Sequence, residues 1–220
     1  MGLDYSFVLV IHRSALSFAL EKLSAVLTED DRLRMQRCLP WEPEIERYRY
    51  QADKNLEFRE SLGIRGCRSM NEENENDYCL TMCFKRDKVL QEYEAKYHMD
   101  PSRELLVLGC VWTSVRAGNQ FAAIASTAAT TEMSLLFNRS PQIKRTWMNL
   151  AQGMKAIALF FDREEGDRWN LIYPAKRKVL KPDDEACWVA DCLVVDAYYQ
   201  DAFRLAGLKN STLKPPVSRP

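Results

Sequence analysis

The segment from Asp4 to Arg13 limits the fold more than any other part of the chain. Phe7, Val8, Leu9, Val10 and Ile11 follow one another without a polar interruption. Successive side chains of a strand point to opposite faces, so a run that is apolar at every position places apolar groups on both. Only a strand with a packed layer on each side buries them all. Such a run predicts a central strand in a sheet that carries further structure on both faces. Ser14 then supplies an N-cap signal, and Leu16, Ala19, Leu20, Leu23, Val26 and Leu27 recur on one face at helical spacing.

The same logic carries along the chain. Thr28-Glu29-Asp30-Asp31 starts a second helix that Pro40 stops. Tyr78, Leu80, Met82 and Phe84 alternate with Cys79, Thr81 and Cys83, the period of a half-buried strand. Asp87 opens a helix with Leu90 and Tyr93 on its apolar side and Glu92 and Lys96 spaced as an i,i+4 pair. Leu105 to Val115 and Gln120 to Ser126 read as strands joined by a turn at 116–119, the second rich in alanine. Ser140-Pro141 begins a helix whose buried stripe is Ile143, Trp147, Leu150 and Ala151. Ala156 to Asp162 and Arg168 to Tyr173 form a hairpin, and a long helix runs from Pro182 to Gly207.

These elements predict an α/β (α+β) architecture with a mixed, mostly antiparallel sheet and amphipathic helices packed on it. Strand, helix, two strands, helix, strand in the N-terminal half is a ferredoxin-like order, provided a strand forms around Ile64. With 220 residues, 46% of them hydrophobic, the chain has material for a sizeable core. No linker separates the two halves, so residues 1–208 are expected to form a single domain, with a polar, proline-rich flexible tail at 209–220.

Charge is balanced, 31 basic residues against 31 acidic. A dedicated nucleic-acid coat or membrane-surface protein usually shows a basic excess, which this chain lacks. The first apolar run is too short to span a bilayer. Seven cysteines, an odd number lying mostly in apolar segments, suit thiols of a reducing compartment. The expectation is a cytoplasmic chain without cross-links, membrane partner or nucleic-acid partner.

Specific chemistries find little support. The two histidines, His12 and His98, have no cysteine or carboxylate at metal-ligand spacing, and Cys79 and Cys83 on one strand lie ~13 Å apart. Neither a metal nor a cofactor is expected. No nucleophile elbow, Walker loop or dinucleotide fingerprint is present. Two ligand or anion candidates remain. His12 and Arg13 end the first strand, where open sheets often place functional groups. Thr127, Thr130 and Thr131 lead into a helix N-terminus, which attracts anions. The stretch Arg168-Trp169 to Lys176-Arg177-Lys178 mixes cations with rings, but Glu164, Glu165, Asp167, Asp183 and Asp184 flank it and offset its charge. The acids of the last helix, Asp196 among them, read as its wet side.

Trp41, Arg47, Tyr48, Arg49 and Tyr50 have the character of protein-contact anchors and no evident core pattern. The sequence therefore predicts a non-catalytic protein-interaction or regulatory module whose partner is another protein, with pairing of two copies as a further arrangement. The competing class is a small-molecule-binding protein or enzyme built around His12 and the Thr127–Thr131 helix start.

Overall fold

The computed structural model describes residues 3–38, 77–164, 168–180 and 192–208. Among them one sheet contains seven strands: β1 (Ser6–His12), β2 (Asp77–Phe84), β3 (Leu106–Ala117), β4 (Phe121–Ala128), β5 (Ala158–Asp162), β6 (Arg168–Tyr173) and β7 (Arg177–Leu180). Their order is β2-β3-β4-β1-β5-β6-β7, and every neighbouring pair is antiparallel. The fold is α+β, and strands from both halves of the chain share the sheet.

β1 occupies the middle, as its doubly apolar sequence requires. Phe7, Leu9 and Ile11 enter the larger core, and Val8 and Val10 enter a smaller one on the opposite face. The larger core is closed by α1 (Leu16–Ser24), α3 (Lys88–Lys96), α4 (Thr131–Arg139) and α5 (Pro141–Gly153), while α2 (Glu29–Cys38) follows α1. The smaller core lies under α6 (Cys192–Leu205), which contributes Tyr198, Tyr199, Ala202 and Phe203. Phe7 anchors the larger core. Its ring lies 5.2 Å from Trp147 in a stacked pair, 4.7 Å from Phe161 and 5.5 Å from Phe137. Burying each such ring contributes roughly 1.5–3 kcal/mol.

α3, α4 and α5 begin at the side-chain caps Asp87, Thr130 and Ser140. Ser14, expected to cap α1, lies instead in a 3-10 turn, and α1 starts after Ala15 without a side-chain cap. The Asp87 carboxylate accepts from Leu90 N–H at the start of α3, and also from Gln142 N–H and Ser140 Oγ–H at the start of α5. One acid therefore satisfies orphan donors on two helices. Burial pushes its pKa up, but hydrogen bonds from Ser140, Gln142, Leu90 and Val89 together outweigh that and hold the carboxyl below its ordinary value. The stripe Ile143, Trp147, Leu150 and Ala151 of α5 is buried as its spacing predicts.

Several details differ from the sequence expectation. A ferredoxin-like order would set the strand at 106–117 beside β1. Instead the alanine-rich β4 takes that place, pairing Ala122, Ala123 and Ala125 with Ile11, Val10 and Val8. The region around Ile64 lies outside the described residues. Glu92 and Lys96 do not pair; Lys96 bonds Glu132, and the buried acid of α3 is Glu94, held by the Arg86 guanidinium through Nε at 2.6 Å and Nη2 at 2.7 Å. β7 was not evident because Val179 is its one buried apolar residue. Of the helix expected over 182–207, the described part begins at Cys192, and the tail at 209–220 is outside the description. Among the described residues no helix is long and apolar enough to cross a membrane.

Candidate functional site

At the carboxyl end of β1, the two candidates His12 and Arg13 serve the fold. His12 is buried and its ring leans on Phe121, 6.1 Å between centres. Arg13 donates from Nη1 to the Gly118 carbonyl at 2.8 Å, and its backbone N–H reaches the Gln120 carbonyl. The same turn is gripped from the other side by Asp196 of α6. This carboxylate is buried and accepts from the N–H groups of Asn119 at 2.7 Å, Gln120 at 3.0 Å and Phe121 at 3.1 Å. Asp196 is therefore not on a wet side of the helix, as the sequence reading had it. A buried carboxylate needs donors, and the tight β3–β4 turn presents three.

The threonine candidates lie at the other end of the sheet. Ser6 pairs with Thr127 and His12 with Phe121, so six residue steps, ~20 Å, separate the two groups. The structure does not bring His12 and the threonines together. Their hydroxyls are also engaged. Thr127 bonds Ser6 at 2.8 Å, Thr130 caps α4 through Met133 N–H, and Thr131 accepts from Leu3 N–H. Trp41, Arg47, Tyr48, Arg49 and Tyr50 lie outside the described residues.

A different arrangement emerges between α5 and the β6–β7 hairpin. A cavity of about 660 Å³ opens there, and Lys144, Arg145, Arg163, Lys176, Arg177 and Lys178 all line it. No carboxylate is among the described lining residues. Its apolar side comes from Pro141, Met148, Phe161, Leu171 and Ile172, and Asn138 and Asn170 add neutral polar groups. The guanidinium of Arg177 lies over Gly207 at the end of α6, 3.5 Å from where a Cβ would stand. Lys144, Arg145, Arg163, Lys176 and Lys178 complete the cation set.

The described lining of this cleft gathers charge of one sign. Burial, then the charges of Arg163 and Lys176, push the Lys144 ammonium below its ordinary pKa. Lys144 donates to the Asn138 carbonyl and sits 6.0 Å above the Phe161 ring. Among the described residues, neither Lys144, Arg145, Lys176 nor Lys178 forms an ion pair with a carboxylate. Glu164, which the sequence set against this basic stretch, instead accepts from Asp4 N–H.

Comparison with known proteins found no matching family model, no matching curated protein and no matching solved structure. Chemistry alone must then identify the site. Converging cations beside an apolar wall suit a small anion with several charges and a flat or apolar portion, and the volume falls in the range of small-molecule sites. Half of the cation set was visible in the sequence as Lys176-Arg177-Lys178. The other half was not, because Lys144 and Arg145 lie on α5 and Arg163 follows β5. One signal existed: α5 carries Lys144 and Arg145 and no acidic residue.

Proposed function

We propose that this chain is a binding protein whose cleft between α5 and the β6–β7 hairpin holds a small polyanion, a phosphorylated molecule of nucleotide size. The observation that supports this most is the convergence of Lys144, Arg145, Arg163, Lys176 and Lys178 on one cavity with no carboxylate among its described lining. Like charges brought close on a partly apolar surface destabilise a fold. A bound polyanion offsets that cost by placing negative charge among the cations, and desolvation strengthens the attraction. The reading is one of binding, supported by cations on one side of the cavity and an apolar wall on the other.

A thermal-shift series with ATP, pyrophosphate, citrate and a single-stranded oligonucleotide tests the proposal. At saturating ATP the midpoint is expected to rise by several degrees, since ligand at ~100 times its Kd adds ~2.7 kcal/mol. Pyrophosphate should act more weakly because it leaves the apolar wall unfilled. An oligonucleotide shift exceeding that of ATP would reassign the cleft to nucleic acid, and no shift with any of the four would remove the proposal. The protein-partner role suggested by Trp41 and Arg47–Tyr50 is an independent proposal. Replacing Tyr48 and Arg49 with alanine should abolish partner capture while leaving the ATP shift unchanged.

A further inference from the structure

The ladder between β2 and β3 is interrupted once. Leu80 pairs with Val111 and Met82 with Leu108, so Gly109 and Cys110 together face Thr81. Two residues opposite one is a β-bulge, and Cys110 occupies it with φ at 60°. Cys110 is exposed and Cys79 is half-buried. Their sulfurs are in contact, Sγ to Sγ 2.7 Å. The pair comes from adjacent hydrogen-bonded strands, so bonding requires no strand to move past another.

We propose that Cys79 and Cys110 form a dithiol modification site that a low-molecular-weight disulfide of the oxidised-glutathione class converts into a cross-strand disulfide. The exposed Cys110, as thiolate, attacks one sulfur of the oxidant and expels a glutathione thiolate, leaving a mixed disulfide on Cys110. The Cys79 thiolate then attacks the Cys110 sulfur and expels the second glutathione thiolate. Two protein thiols lose two electrons and two protons, and one oxidised glutathione becomes two reduced molecules. The product closes a loop that contains α3 and fixes the bulge to the sheet. Cys83 provides an internal comparison on the same strand. It lies ~13 Å from Cys79 along β2, and burial pushes its thiol up, against a smaller opposite pull from Arg103.

The test uses the full chain, folded, incubated with oxidised glutathione, then alkylated and mapped by mass spectrometry. The expected product is a linked peptide joining Cys79 to Cys110, lighter by two hydrogen atoms and restored by excess dithiothreitol. The thermal midpoint should rise on the order of 5 °C on oxidation, because the closed loop restricts the unfolded chain. In Cys110→Ser, Cys79 should carry a glutathione adduct without a cross-link, and the rise should vanish. Should that variant not fold, Cys79→Ser tests the same point from the other sulfur. Separate glutathione adducts on the two wild-type thiols, or a linked peptide joining either to another cysteine, would overturn the assignment.

Discussion

The β3–β4 turn and the cleft beside α5 both concentrate charge, and they treat it in opposite ways. At the turn, the buried Asp196 carboxylate receives three backbone N–H groups, and Arg13 satisfies a carbonyl next to them. In the cleft, Lys144 is partly buried beside Arg163 and Lys176, and its ammonium is held below its ordinary pKa. A buried charge with all its partners supplied holds structure together. Charges of one sign gathered together weaken the fold, and perturbed groups of that kind concentrate at functional sites. The contrast separates a structural polar cluster from one available to a ligand, although the sequence had assigned them the other way, with candidates at His12 and Arg13 and an offset basic loop at 176–178.

The strongest way to break this contrast is at the turn. Asp196→Ala leaves three N–H groups without their acceptor and should cost ~3 kcal/mol, lowering the thermal midpoint by ~6–10 °C. Urea denaturation checks this, and a loss below ~1 kcal/mol would mean that the turn is held by other contacts. ATP binding should be retained in the folded fraction, since Asp196 is not among the residues lining the cleft.

Asp87 sharpens the same point. Asp87→Ala removes acceptors from the starts of α3 and α5 and should cost ~1–2 kcal/mol at neutral pH. Since the folded pKa is lowered, the wild-type carboxylate contributes fully above its unfolded value of ~3.9 and loses that contribution as pH falls through the folded pKa. The stability gap between wild type and variant should therefore narrow in acid. A gap independent of pH would assign the effect to packing instead of charge.

The cleft should respond with the opposite sign. Lys144→Met removes a crowded cation while keeping an apolar stem, so stability should rise by ~0.5–1 kcal/mol. Because the folded pKa is lowered, the wild-type penalty is present below it and fades as pH rises toward ~10.4. The advantage of the variant should accordingly shrink between neutral and alkaline pH. A destabilised Lys144→Met would show that its bond to Asn138 outweighs the repulsion. The smallest effect is expected for Lys178→Ala, an exposed position where stability should change by less than ~0.5 kcal/mol while polyanion affinity still falls.

Much of the fold was legible because it rests on local periodicity. The doubly apolar β1, the Ser140-Pro141 start and the stripe through Trp147 are each written within a few neighbouring residues. The pairing of β4 with β1 was less so, since alanines fit many positions and declare no partner. Asp196 could have been found by its place in a repeat: it falls with Tyr199, Phe203 and Ala206 at steps of three and four, an acid inside an apolar stripe. The cleft was the least legible part. Its cations come from α5, the end of β5 and the β6–β7 hairpin, and only the antiparallel path of the sheet brings those segments together.

Titration calorimetry of ATP into wild-type protein and Lys144→Met, each at low and high salt, tests the cleft most directly. One ATP per chain is expected in the wild type, with affinity falling more than ~10-fold as salt rises from ~0.05 to ~0.5 M, and binding by the stabler variant at least ~10-fold weaker at low salt. Equal affinities in the two proteins, or binding indifferent to salt, would contradict a polyanion held by these cations.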